Sequence, residues 1–196
     1  MQTHKQRMLR GELYLDSDPE LVAERRHCQR LLDRFNATRS GQQVQRRAIL
    51  EKLLGGIGVG SWIMPRFQCD YGSLIRLGRN SFLNYDAIVM DCAPVVIGDD
   101  VSIGPRAQLL TALHPMHDHE ARRQRWETAA PITVGDNAWL GGGVIVCPGV
   151  RLHLDVWGSV EELVAAGATV LRRRDAEIAW DVLADPEGNE FCVFTR

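Results

Sequence analysis

The sequence predicts a mainly β protein: a parallel β-helix of hexapeptide repeats, preceded by a helical segment and followed by an α+β module of βαβββ order. Three observations lead there. An aliphatic residue returns every sixth position at Ile97, Ile103 and Leu109, and again at Val134, Leu140 and Val146, with Gly following at Gly98, Gly104, Gly135 and Gly141. Charged stretches with helix-spaced apolar residues fill the first part of the chain, and the six-residue spacing stops after Val150. A period of six fits neither an α-helix, at about 3.6, nor one alternating strand, at about 2. It suits short strands joined by corners, in coils that must stack to bury a continuous core.

These signals divide the chain into 1–58, 59–150 and 151–196. Between Pro19 and Asn36, Leu21, Val22, Cys28, Leu31, Leu32 and Phe35 recur at helical spacing, and a second helix is expected from about Gln42 to Leu54, ended by Gly55 and Gly56. Its Arg residues are interleaved with acids, which reads as a solvated helical face rather than a basic binding surface. From Ser61 the hexads can be traced through Tyr71-Gly72, Leu77-Gly78, Leu83 and Val89. Coils of three hexads make a three-sided prism with about three coils up to Val150, and 120–130 form a loop excluded from it. Gly, Asn and Asp at the corners tolerate left-handed backbone angles. After Val150 the order is strand, helix (Val160 to Ala166), strand, strand, a tight turn at Asp185-Pro186-Glu187-Gly188, and a last strand.

An apolar content of 45% and a net charge of -2 over 196 residues describe an ordinary globular chain, with nothing that asks for nucleic acid or a membrane surface. No apolar run approaches the roughly 20 residues of a membrane span. The first residues lack the apolar core of a signal peptide, so a cytoplasmic protein is expected. Five cysteines (Cys28, Cys69, Cys92, Cys147, Cys192) without a CxxC pair read as reduced thiols. No GxGxxG opens a helix after a strand, so a dinucleotide or P-loop site is not indicated.

Several motifs occur together and in order: Met8-Leu9-Arg10-Gly11-Glu12-Leu13-Tyr14, Phe67-Gln68-Cys69-Asp70-Tyr71-Gly72, Asn84-Tyr85-Asp86, His114-Pro115, and Pro131-Ile132-Thr133-Val134-Gly135 continuing through Trp139-Leu140-Gly141. On these, the first 150 residues resemble the maltose, galactoside and nodulation-type sugar O-acetyltransferases. The resemblance implies a left-handed β-helix, the known exception to right-handed crossovers. It also implies acetyl-CoA as cosubstrate, a small sugar acceptor, and a homotrimer with the coenzyme between subunits. The tail departs from that pattern. His153-Leu154-Asp155-Val156 and Leu183 to Phe191 resemble one βαβββ module of the glyoxalase/vicinal-oxygen-chelate superfamily, where the family would add a further coil and cap.

Acetyl transfer to a hydroxyl needs a base near neutral pKa, donors for the oxyanion, and groups that orient the sugar. His114 stands at the family's catalytic position, and Asn84 matches a residue expected near it and the acceptor. Asp16 and Asp91 match acceptor-site acids, with Ser73 a weaker match, although each Asp suits a cap or corner equally. Phe82 stands where some relatives carry Tyr. Gly142 is the oxyanion candidate and Trp139 lies on the same coenzyme edge, against the plainer reading that corners favour Gly. His114, His117 and His119 invite a metal reading, but they lack a carboxylate or Cys pattern and no metal is expected. His153 and Glu190 are weak metal candidates through the second resemblance. The competing expectation is a fusion product acting only in binding or oligomerisation, because the replaced coils would expose a sheet edge and remove part of the coenzyme cleft.

Overall fold

The computed structural model describes residues 2–152, 155–157, 159–184, 186 and 190–194. Helix α1 (His4–Leu9) starts at a capping box, in which Thr3 accepts from the Gln6 N–H and Gln6 reaches back to the Thr3 N–H. Helix α2 (Pro19–Asn36) has Asp18 as N-cap and Pro at its first position, two independent start signals. It buries Leu21, Cys28, Leu31, Leu32 and Phe35, and α3 (Gln43–Leu53) buries Ile49, Leu50 and Leu53. Residues from both helices join the prism core, so the helical segment closes one end of the β-helix.

The hexads fold into a left-handed parallel β-helix with three faces. The first face stacks Gly56–Ile57, Ile75–Leu77, Val95–Ile97, Ile132–Val134 and Arg151–Leu152. The second stacks Trp62–Ile63, Phe82–Leu83, Ser102–Ile103 and Trp139–Leu140, and the third Gln68–Cys69, Ile88–Met90, Gln108–Leu110 and Ile145–Val146. Leu83, Val89, Ile97, Ile103 and Leu109 all point into one dry core. The prism has four full coils rather than about three, and its pairing runs from Gly56 to Leu152, wider than the expected 59–150. The first coil keeps the same period, with Ile57, Ile63 and Cys69 in register with Leu77, Leu83 and Val89 one coil on.

Close stacking explains the recurrent Gly. A Cβ at Gly58 or Gly78 would collide with the backbone of the glycine one coil on. Left-handed angles fall at Asn80, Asp100 and Asn137 on one corner, as expected, but also at Arg66 and Arg106 on the next. Arg66 pairs with Asp86 at 2.8 Å, and the Arg106 N–H donates to the Tyr85 carbonyl at 2.8 Å, which anchors those two unfavourable residues.

One excursion leaves the third coil. Ala112–Leu113 pairs antiparallel with Trp126–Ala129, and Tyr14–Leu15 adds to the other edge of that hairpin. Between the hairpin strands lies the short helix α4 (His119–Arg123), capped by Asp118. The C-terminal module has Asp155–Trp157, α5 (Val160–Ala165), Thr169–Arg172, Asp181–Ala184 and Glu190–Phe194. The first and last strands pair parallel and the other neighbours antiparallel, giving the expected βαβββ unit. The expected turn at 185–188 lies, apart from Pro186, outside the described residues.

Candidate active site

His114 follows the first strand of the hairpin, at the corner where the third face returns to the first. Its side chain is 61% exposed, and Nδ1 lies 3.8 Å from Oε1 of Glu127 on the opposite hairpin strand. Glu127 is the more enclosed partner at 18%, and its second oxygen accepts from the Tyr14 hydroxyl at 3.2 Å. Burial, then Asp16, raises the Glu127 carboxyl above its ordinary value, while His114, Tyr14 and Arg25 oppose the shift. Tyr14 is fully buried, and desolvation holds its hydroxyl protonated, so it acts as a fixed donor. A carboxylate fixed beside one imidazole nitrogen orients the ring and leaves the other nitrogen toward solvent for proton transfer.

Next to this pair lies a second polar group. The Arg25 guanidinium donates to the Tyr71 hydroxyl at 2.8 Å and to the Asp16 carbonyl at 2.6 Å, with the Asp16 carboxylate 3.7 Å away. Asp70 stands beside them. Burial raises its carboxyl, Cys92 and Arg25 counter that, and the Cys92 thiol faces it at 3.5 Å. Asp16 and Arg25, which both act on Glu127, thus offer an acceptor and a donor for hydroxyls near His114, and Asp70 adjoins Arg25.

The other expected site residues separate by position. Asp91 is 0% exposed, and its carboxylate accepts from the N–H groups of Asp70 (3.0 Å), Tyr71 (2.9 Å) and Leu74 (3.3 Å). It is a corner residue, and the expectation of a direct sugar contact is corrected: no surface of it is left to meet one. Burial pushes its carboxyl up to about 7 against those backbone donors. Ser73 is exposed, but it lines a groove of about 470 Å³ with Glu24, His27, Lys52 and Tyr71, not the surroundings of His114. Asn84 sits at a different corner, where the second face turns into the third, and its Oδ1 accepts from the Tyr85 N–H at 2.8 Å. Gly142 shares that corner two coils on, packed near Pro105, with Trp139 on the adjoining face and 81% exposed. One chain therefore carries His114 and its polar group on one edge, and Asn84 with the coenzyme candidates on another.

Among the described residues no further strand pairs beyond Trp139–Leu140 on the second face or Ile145–Val146 on the third. A cavity of about 650 Å³ there is lined by core-facing side chains including Ala138, Leu140, Val146 and Leu152. Among the described residues no group of three or more His, Cys, Asp or Glu is placed to hold a metal ion, and His117 and His119 lie exposed. His153 is outside the described residues, and Glu190 is described only as the start of the last strand.

Glu127, Arg25 and Asp70 were not singled out from sequence. Arg25 is hidden among the interleaved charges of α2, and Glu127 lies in the hairpin with no spacing signal. Asp70 belongs to a quoted motif, but only folding sets it against Arg25 and Cys92.

Comparison with known proteins is consistent over most of the chain. The family described as maltose acetyltransferase hexapeptide capping motif matches residues 7–58, and a glyoxalase-like domain matches residues 107–194. The first part of that second match, up to Leu152, folds here as hairpin and prism. Nodulation protein L of Rhizobium leguminosarum bv. viciae is 41% identical over 148 residues, 76% of this chain and 77% of that protein. The crystal structure of a maltose O-acetyltransferase from Clostridium difficile 630 superposes with a TM-score of 0.77 at 39% identity, covering 81% of this chain and 84% of that one. A galactoside acetyltransferase in complex with coenzyme A gives 0.75 at 31% identity, covering 81% and 80%.

Proposed function

The chain belongs to the maltose, galactoside and nodulation-protein type of hexapeptide-repeat acetyltransferases, and from that premise we propose that it carries an acetyl group from acetyl-CoA to a sugar hydroxyl. His114 acts as general base in a direct attack of the hydroxyl on the thioester. The observation that carries this is the exposed His114 ring beside the enclosed Glu127 carboxylate, next to Asp16, Arg25 and Asp70. Glu127 positions the imidazole, and Asp16 and Arg25 orient an acceptor of maltoside or galactoside type. Gly142 contributes an amide to the developing oxyanion and Trp139 packs against the coenzyme.

The two-edge division supports a homotrimer. In a three-fold ring of prisms, the Asn84 and Gly142 edge of one protomer meets the His114 edge of its neighbour and completes the site. Five free cysteines suit a reducing compartment, so the cytoplasm is part of the proposal. The test is thiol release from acetyl-CoA with maltose, a glucoside or a galactoside, alongside light scattering for mass. Acceptor-dependent release from a trimer is expected; release that His114→Ala leaves unchanged would sink the assignment of the base.

One observation favours a second reading. The apolar prism end around Trp139 lies where a further coil would help hold the coenzyme. A folded trimer that takes up no acetyl-CoA in calorimetry would make the chain a binding or oligomerisation module instead.

A further inference from the structure

Two thiols that acetyl transfer leaves unused meet beneath the acceptor side of the site. Cys28 is buried on α2, and Cys69 ends the third-face strand of the first coil. Their Sγ atoms lie 3.5 Å apart, and the Cys28 thiol also approaches the Cys69 carbonyl at 3.6 Å. With a sequence separation of 41, this contact ties the helical segment to the prism. Both neighbours in sequence matter. Arg25, one turn before Cys28, makes the contacts to Tyr71 and Asp16. Asp70 and Tyr71 directly follow Cys69. Any change in the sulfur–sulfur separation therefore acts on both halves of the acceptor-orienting group.

We propose that Cys28 and Cys69 form an oxidation site, which a peroxide converts to a disulfide clamping α2 onto the first coil and altering acceptor binding. The Cys69 thiolate, the less buried of the two, attacks a peroxide oxygen. An S–O bond forms, the O–O bond breaks, and hydroxide leaves and takes up the thiol proton as water. The Cys28 sulfur then attacks the sulfenic sulfur. An S–S bond forms, the S–O bond breaks, and the second oxygen leaves as water with the Cys28 proton. Two thiols and one hydrogen peroxide give one disulfide and two waters, the sulfurs losing the two electrons the peroxide gains.

The geometry sets the size of the change. The sulfurs must close from 3.5 Å to about 2.05 Å, a movement that draws α2 toward the strand carrying Asp70 and Tyr71. The chemistry sets the pace. The hydrogen bond with Cys28, and then burial, hold the Cys69 thiol above its ordinary value, which keeps thiolate scarce. The site responds to sustained peroxide rather than to a brief pulse, and faster as pH rises. Cys147, exposed on the last coil, oxidises first and serves as an internal control.

The full chain, treated with hydrogen peroxide, alkylated and mapped without reduction, should yield one linked peptide pair containing Cys28 and Cys69. The link should vanish with dithiothreitol, and its rate should increase with pH. The melting temperature should rise by an amount on the order of 5 °C. Sulfinic acid at either cysteine without the link, or oxidation of Cys147 with both thiols left free, overturns the site. That mapping needs no variant; Cys28→Ser and Cys69→Ser should each abolish the link where they fold. The effect on acceptor binding rests on the acetyltransferase reading. Oxidised enzyme should show an acceptor KM changed by about threefold or more with the acetyl-CoA KM unmoved, reversed by reduction. A link with an unmoved acceptor KM removes the clamp's effect on binding. A link in a protein that never transfers acetyl removes the function and leaves the oxidation site standing.

Discussion

In the prism each coil is covered by the next, so Leu83, Ile103 and Leu109 touch apolar neighbours above, below and across the axis. In the βαβββ module a four-stranded sheet leans on a short helix, and among the described residues the buried cluster comprises Val160, Leu183 and Val193 with Leu163, Ala168 and Val170 at its rim. Buried carboxylates repeat the contrast. Asp91 in the prism is held by three backbone N–H groups. Asp181 in the module is 1% exposed; one oxygen accepts from the Arg174 N–H at 3.2 Å, and among the described residues the other has no hydrogen bond, with the Arg174 guanidinium at 3.6 Å. Repetition supplies the prism with a partner for each layer, whereas the module must satisfy its core and its charges from a single layer.

The largest expected effect separates the regions by activity. His114→Ala should lower kcat for acetyl transfer by about a thousandfold, some 4 kcal/mol of transition-state stabilisation, with the melting temperature unchanged because the side chain is exposed. Leu183→Ala in the module should leave kcat near wild type. A module variant that matches His114→Ala in initial-rate measurements would move part of the site across the boundary.

Stability should divide the same way. Leu109→Ala removes a fully buried side chain between two paired coils and should cost about 2–5 kcal/mol in urea unfolding of the main transition. Leu183→Ala, fully buried in the smaller cluster, should instead raise hydrogen exchange within 155–194 and leave the main transition in place. One common loss of both transitions would mean that the two cores fold as a unit.

Asp91 gives the next test, with a definite sign. Burial lifts its folded pKa to about 7, above the ordinary carboxylate value near 3.9, so the native state binds the proton more tightly. Its contribution is then complete below about pH 4 and is lost as pH rises toward 7, with a slope of up to about 1.4 kcal/mol per pH unit. Asp91→Asn should remove that slope, and should cost about 1–3 kcal/mol by turning an amide N–H toward a backbone donor. Equal pH slopes for the two proteins in urea titrations would show that the three backbone donors outweigh burial.

How much of this was readable in the sequence follows the same division between repeated and single features. The hexad period announces the prism because six residues recur coil after coil, and the helix starts are written in Thr3, Asp18 and Pro19. The start of the first coil was harder to read because Cys69 stands where the aliphatic series of Ile57 and Ile63 would continue, and the first face carries one strand further than expected because Arg151–Leu152 pairs through its backbone. His114 was legible as the candidate base through its motif. Asp91 stayed open between two readings, since an acid at a corner reads alike whether it faces solvent or caps a turn. The partners of His114 and Asp16, Glu127 and Arg25, are brought to them by an antiparallel hairpin and a helix face, and neither leaves a local pattern.

The smallest effect concerns one of those partners. Glu127 stands 3.8 Å from the His114 ring through one oxygen and accepts from the Tyr14 hydroxyl through the other, and in the proposed site its role is to hold the ring. Glu127→Gln keeps the shape and a hydrogen-bonding oxygen but removes the charge beside the imidazole. It should lower kcat about tenfold with little change in either KM, since positioning acts on the reacting geometry rather than on ground-state binding. Glu127→Asp, which retains the charge on a shorter arm, should recover part of that loss. A rise in acceptor KM with kcat unchanged would instead make Glu127 a sugar contact, and would shift the acceptor from the Asp16 and Arg25 group toward the hairpin itself.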